Sequence, residues 1–164
     1  MGSSCSHGGT LAIISGGQLY RSHESREMGF RSHIREHAKH LTVLDTLIGQ
    51  DDSDQNYQNV TALIRGCPDL VGIYNVGGGN EGIVQALHEA DLANEVCVIA
   101  HNLTPRTRKH LSEGTVNFIL HQDMRLLAER SMNAIIGSLA KEHHEPSLIP
   151  IEIVTRENLE WRNV

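Results

Sequence analysis

The chain has 164 residues, 39% of them hydrophobic and 21% charged, a balance that fits one compact unit and excludes a mainly disordered chain. Its formal charge of −6 makes this stretch a poor nucleic-acid surface. No apolar run approaches the roughly 18 residues needed to span a bilayer. Cys5, Cys67 and Cys97 form no C-x-x-C pair and leave an odd count. A disulfide framework and a structural zinc site are therefore not expected, and a reducing cytoplasm is the compartment that fits.

In chain order, residues 1–9 (MGSSCSHGG) lack an apolar core of the secretory kind and read as a leader outside the fold. Residues 11–15 (LAIIS) are a continuous apolar run, as in a strand covered on both faces. A helix is predicted over 24–39, and a β-branched, alternating second strand over 41–48. The acidic loop 50–54 then offers caps to a helix over 54–65, which Gly66 and Pro68 stop. The alternation continues with a strand at 70–76, a helix at 80–90, a strand at 96–100, a helix at 106–113 and a strand at 116–120. The longest helix follows over 124–141, and an extended run at 149–154 closes the pattern. Strands separated by helices of about 10–15 residues imply right-handed crossovers and a parallel sheet flanked by helices, an α/β fold. In such sheets ligands bind beyond the carboxyl ends of the strands. The loops that matter then start near Gly16, Gly49, Asn75, His101 and His121.

Two motifs suggest other chemistry. Gly77, Gly79 and Gly82 spell G-x-G-x-x-G between a strand and a helix, as a dinucleotide fingerprint requires. The motif follows the third strand rather than the first, the next strand ends in His101-Asn102 where an acid should grip a ribose, and Glu81 would face the phosphate. A tight turn admitting something neutral is the better reading. His33, His37 and His40 fall at i, i+4 and i+7 on one helix, but no H-E-x-x-H pattern accompanies them, and a solvated face is expected rather than a metal site. With no G-x-S-x-G elbow either, no enzyme and no cofactor are expected.

LAIISGG followed by SREMGFRSHI, then CPDLVGIYNVGGGNEGIVQAL, then VCVIAHNLTPRTRKHLSEGTVNFILHQDMRLLAERSMNAIIG, together resemble the effector domains of lactose-repressor (LacI/GalR) regulators and type I periplasmic sugar-binding proteins. The resemblance runs from Thr10 to Leu159. HNLTPRTRKHL is similar to a segment of the regulators, which favours that branch: a cytoplasmic, homodimeric sensor whose DNA-binding headpiece contacts an operator. The alternative is a periplasmic sugar-binding protein of a transporter; a nucleotide-dependent enzyme built on residues 77–82 is the remaining one.

The family fold clamps a sugar between two lobes. The resemblance implies that residues 10–116 with 145–164 form the second lobe, and that 117–144 hold a crossover and a helix belonging to the first. It also implies ligand-binding roles. Arg26 matches the arginine of an R-x-x-G-F/W motif, its donor fork suited to adjacent hydroxyls or a carboxylate. Asn102 stands where the family commonly has Asp. Gln122 matches the Q of a Q-D pair at the lobe crossing. Asn75 and Asn80 bracket the glycine turn, and either fits the role. Asp51 or Asp52 reaches the site or caps a helix, and Tyr20 could stack on a sugar ring. The implied partner is a small sugar or sugar derivative, with no membrane.

Overall fold

The computed structural model describes residues 8–17, 20–141 and 148–161. Among the described residues, seven strands form one sheet: β1 (Gly9–Ser15), β2 (Leu41–Val43), β3 (Leu47–Ile48), β4 (Leu70–Asn75), β5 (Cys97–His101), β6 (Phe118–Gln122) and β7 (Ile151–Val154). The helices described between them are α1 (Arg21–His37), α2 (Ser53–Gly66), α3 (Asn80–Glu89), α4 (Pro105–Glu113) and α5 (Met124–Leu139), with a 3₁₀ segment at Arg156–Trp161. The spatial order is β2-β1-β4-β5-β6-β7, with β3 also on β1. Every pairing is parallel except that of β6 with β7. The expected α/β architecture is the observed one.

Because the chain turns one way from β1 to β2 and the other way from β3 onward, right-handed crossovers put α1 on one face and α2, α3 and α4 on the other. The second face holds the main core. Ile14, Ile73, Val98 and Ile119 of the strands meet Val60 of α2, Ile83 and Leu87 of α3 and Leu111 of α4, all at most 1% exposed. A smaller cluster under α1 joins Ile13, Tyr74 and Val76, with Phe30 packed against it at 4.8 Å from the Tyr74 ring.

The strand expected over 41–48 is two short strands. The Leu44 N–H still donates to the Leu11 carbonyl of β1 (3.0 Å), and the ladder breaks after it where α1 intervenes: Arg31 donates to the Leu44 carbonyl (2.8 Å) and to Thr46 Oγ1 (2.9 Å), while Glu27 accepts from Thr46. α1 also begins three residues before the expected start, at a Tyr20 N-cap with no side-chain bond. Gly9, read from sequence as the end of a leader, is the first residue of β1. α5 starts as expected at Met124, where Asp123 accepts from the Leu126 N–H, but ends at Leu139 rather than at Lys141, and only its Gly137 is buried. Among the described residues, no helix is long and apolar enough to cross a membrane.

Candidate functional site

The carboxyl ends of β4 and β5, the start of α1 and the loop before α2 enclose an open cavity of about 430 Å³. Its wall carries His23 and Arg26 from α1, Asp51, the glycine turn 77–79 with Asn80 and Glu81, and then His101, Asn102, Thr104, Arg106 and Thr107. Almost all are hydrogen-bonding groups, as a site for a polyhydroxylated ligand requires.

The glycine turn owes its shape to the chain rather than to a ligand. Gly79 has φ +68, a left-handed conformation that Cβ-bearing residues disfavour. A Cβ on Gly77 would overlap the Asp51 carboxylate, one on Gly79 would meet the Asp52 carbonyl at 2.7 Å, and one on Gly82 would overlap the Ser53 carbonyl oxygen. All three glycines therefore admit the start of α2. Where a pyrophosphate would sit in a dinucleotide fold, the Gly78 N–H already donates to Asp51 Oδ1 at 2.6 Å. Beneath the turn, fully buried Asn56 donates to the carbonyls of Gly78 (3.1 Å) and Gly79 (3.0 Å). Its Oδ1 is buried without a hydrogen-bond partner. Asn56→Ala should lower stability by about 1–3 kcal/mol, because two buried carbonyls lose their donor. Urea denaturation checks this; an unchanged midpoint would show that the turn holds itself.

Arg26 is half-buried, and its Nη1 donates to the Val76 carbonyl at 2.8 Å, which holds the guanidinium over the end of β4. Burial lowers the pKa of this guanidinium. Burial also lowers His23, against the opposing pull of Asp51, and His23 Nδ1 is buried without a hydrogen-bond partner. His101 shares a 2.8 Å hydrogen bond with the Tyr74 hydroxyl; burial, reinforced by the positive charges of Arg26 and His23, pushes it down to about 4. At neutral pH His101 is thus uncharged. Burial pushes Glu81 up, but its own backbone N–H, Arg106 and Ser53 together hold its carboxyl below the usual range. Arg106 pairs with it at 3.3 Å.

The sequence-derived residues fall in different places. Arg26, Asp51, Asn80 and Asn102 come together on the cavity wall. Asp51 (φ 57) and Asn102 (φ 65) are both left-handed, a conformation that Asp and Asn tolerate better than most and that recurs at binding sites. Of the two acids in the second loop, Asp52 caps α2 through the Gln55 N–H and Asp51 faces the cavity. Asn75 is fully buried and shapes the turn: it donates to the Gly78 carbonyl and Asn80 Oδ1 (both 2.8 Å) and accepts from the Gly77 N–H. Gln122 ends β6 opposite Ile151, apart from the cavity wall. Tyr20, 53% exposed, lines a second cavity of about 680 Å³ with Glu24, Glu27, Arg31 and Asp45. Sequence reasoning missed His23, His101 and Arg106. His23 had a signal, standing three residues before Arg26 on one helical face; His101 ends a strand whose loop the strand-end rule had marked. His33 and His37 stack at 4.5 Å, yet no group of three metal-ligating side chains comes together among the described residues.

Comparison with known proteins agrees with this fold. A carbohydrate transporter solute-binding protein from Agrobacterium radiobacter, in complex with D-arabinose, superposes with a TM-score of 0.86 at 22% identity, over 93% of this chain and 52% of that one. A sugar-binding protein of a Bacillus halodurans sugar ABC transporter gives 0.82 at 23% identity, over 94% and 57%. AraP, an arabinose-binding protein from Geobacillus stearothermophilus, gives 0.81 at 22%, over 96% and 57%. The chain thus spans little more than half the length of these structures. No curated protein matches it. Residues 1–142 match the family described as periplasmic binding protein domain, and the chain belongs to that family.

Proposed function

We propose that this chain is one lobe of a sugar-binding clamp, and that the sugar sits against the cavity at the ends of β4 and β5. The observation that carries the reading is the wall itself: Arg26, Asp51, Asn80 and Asn102, four planar hydrogen-bonding groups, converge where α/β sheets bind ligands. The solved relatives named above are sugar-binding proteins, two of them of transporters. They favour a solute-binding protein over a transcription regulator. The segment that pointed to the regulators also has a local explanation: Thr104 and Thr107 form a reciprocal capping box with Pro105 in the first turn of α4. That chemistry starts a helix and implies nothing about DNA. The regulator reading, with its homodimer, operator and cytoplasmic setting, stands second. In either case the clamp closes on the sugar when a second lobe meets this one, and α5 is the helix that would join that lobe.

Calorimetric titration with a panel of pentoses and hexoses tests the proposal. Saturable binding of at least one neutral monosaccharide is expected, and Arg26→Ala should weaken it about 10- to 100-fold, as loss of a charged hydrogen bond does. The absence of saturable binding by any sugar up to about 10 mM would overturn the reading, and undiminished affinity in the variant would remove Arg26 from the site.

A further inference from the structure

Two guanidinium groups stand on the cavity wall, and only one of them has an acid. Arg106 is exposed and pairs with Glu81 at 3.3 Å. Arg26 is half-buried, and among the described residues it forms no ion pair. Its Nη1 donates to the Val76 carbonyl, a neutral group. The Nε–Nη2 edge, with two parallel N–H groups, is left free of acceptors from the described residues. The titratable groups that feel the Arg26 charge most, Tyr74, His23 and His101, carry no charge of their own at neutral pH, because burial raises the first and lowers the other two. Asp51, the other acid of the wall, is exposed to water, which screens it, and its Oδ1 already accepts from the Gly78 N–H. A half-buried cation with neither a counter-ion nor full hydration is unfavourable until something supplies the opposite charge. Because the loops of this chain at residues 76–81 and 101–107 ring the cavity, an acid from an opposing lobe could reach Arg26 only by taking the place of the ligand.

We propose that the ligand of this cavity is a sugar acid, whose carboxylate pairs with the open edge of Arg26 while its hydroxyls meet Asp51, Asn80 and Asn102. The inference rests on the sugar-binding reading above and narrows its substrate class. A guanidinium edge with two parallel N–H groups matches the two oxygens of a carboxylate, and such charged, bidentate pairs are stronger than bonds to hydroxyls. Both α3 and α4 also begin at this wall, and the positive ends of their dipoles add to the attraction. One guanidinium matches one negative charge. A sugar phosphate carries about −1.5 to −2 at neutral pH and would leave part of its charge unanswered, so the carboxylate is the better complement. A neutral sugar of the same ring still binds, but it offers Arg26 hydroxyls alone.

Calorimetry on the 164-residue chain provides the test. D-Glucuronate, D-galacturonate and D-mannuronate are compared with their neutral parents D-glucose, D-galactose and D-mannose, and with the uronamides, which keep the shape without the charge. At least one uronate should bind about tenfold or more tighter than both its parent and its amide. Raising the salt from about 20 to 200 mM should weaken that uronate and leave the parent sugar nearly unchanged. Arg26→Gln should erase the advantage, and Arg26→Lys should keep part of it, since lysine retains the charge without the fork. If Arg26→Gln fails to fold, the amide and salt comparisons on the parent chain decide. Uronates that bind no tighter than their neutral parents overturn the inference and leave the sugar-binding reading standing. No binding by any sugar, acidic or neutral, overturns both. Tighter binding of glucose 6-phosphate than of every uronate, or an advantage that survives in Arg26→Gln, also overturns it.

Discussion

Gly82→Val is expected to remove about 4 kcal/mol or more of folding stability, a large share of what a domain of this size possesses. Gly82 is buried in the first turn of α3, where that helix crosses the start of α2. A Cβ would overlap the Ser53 carbonyl oxygen and meet the Tyr57 backbone nitrogen at 2.7 Å. Both neighbours are backbone, so no rotamer change can relieve the contact, and α2 and α3 must separate. That separation would open the core around Val60, Ile83 and Leu87, each completely buried. Gly29 is the control: nothing lies within 4 Å of a Cβ there, and Gly29→Ala inside α1 should add about 0.5–1 kcal/mol by helix propensity. Urea denaturation of both variants is the measurement. A Gly82→Val protein as stable as the parent would mean that the close approach of α2 and α3 is not as described.

The second large effect depends on pH. Unfolded, His101 takes up a proton near 6.5; folded, its burial and the charges of Arg26 and His23 delay this to about 4. Between those values the unfolded chain holds the extra proton. Stability is therefore fully present above about 6.5, falls as pH drops through the window, and levels off near 4. The total is on the order of 3 kcal/mol. Glu27 and Glu81 are both held below their ordinary value, so they add a loss of the same direction at lower pH, and the comparison must isolate the histidine. Stabilities of the parent and of His101→Gln at pH 7 and pH 4.5 do this. The parent should lose more than the variant by roughly 2–3 kcal/mol, whereas equal losses would show that His101 protonates freely in the fold.

How far the sequence reaches depends on which force decides each feature. The strands at 70–76 and 96–100 were legible because a buried parallel strand must be continuously apolar, and Ile73, Val98 and Ala100 are indeed buried. The break inside 41–48 was not, because its cause is two side chains of α1, Glu27 and Arg31, which no local pattern records. The glycine motif illustrates the same limit in the other direction. Its spacing alone suits a phosphate, and only the position of Asp51, Ser53 and Asn56 shows that the space is taken by the start of α2. Within the site, Arg26 and Asn102 were reached through the resemblance, but the division of labour between neighbours needed coordinates. Asn75 and Asn80 are alike in sequence; one is buried to hold the turn and the other borders the cavity. Asp51 and Asp52 divide in the same way between cavity and helix cap. His101 stayed hidden because its role is set by Tyr74, 27 positions away along the chain.

The central claim is that a sugar binds at the ends of β4 and β5, and amide chemical-shift mapping tests it most directly. The labelled chain is titrated with a monosaccharide selected by calorimetry, and shifts are read residue by residue. The account predicts saturable changes concentrated at Asp51, at residues 77–81 and at residues 101–107, with an Arg26 side-chain signal moving in step and α5 silent. Saturable changes confined to the second cavity around Tyr20, Glu24 and Asp45, or to α5, would contradict it.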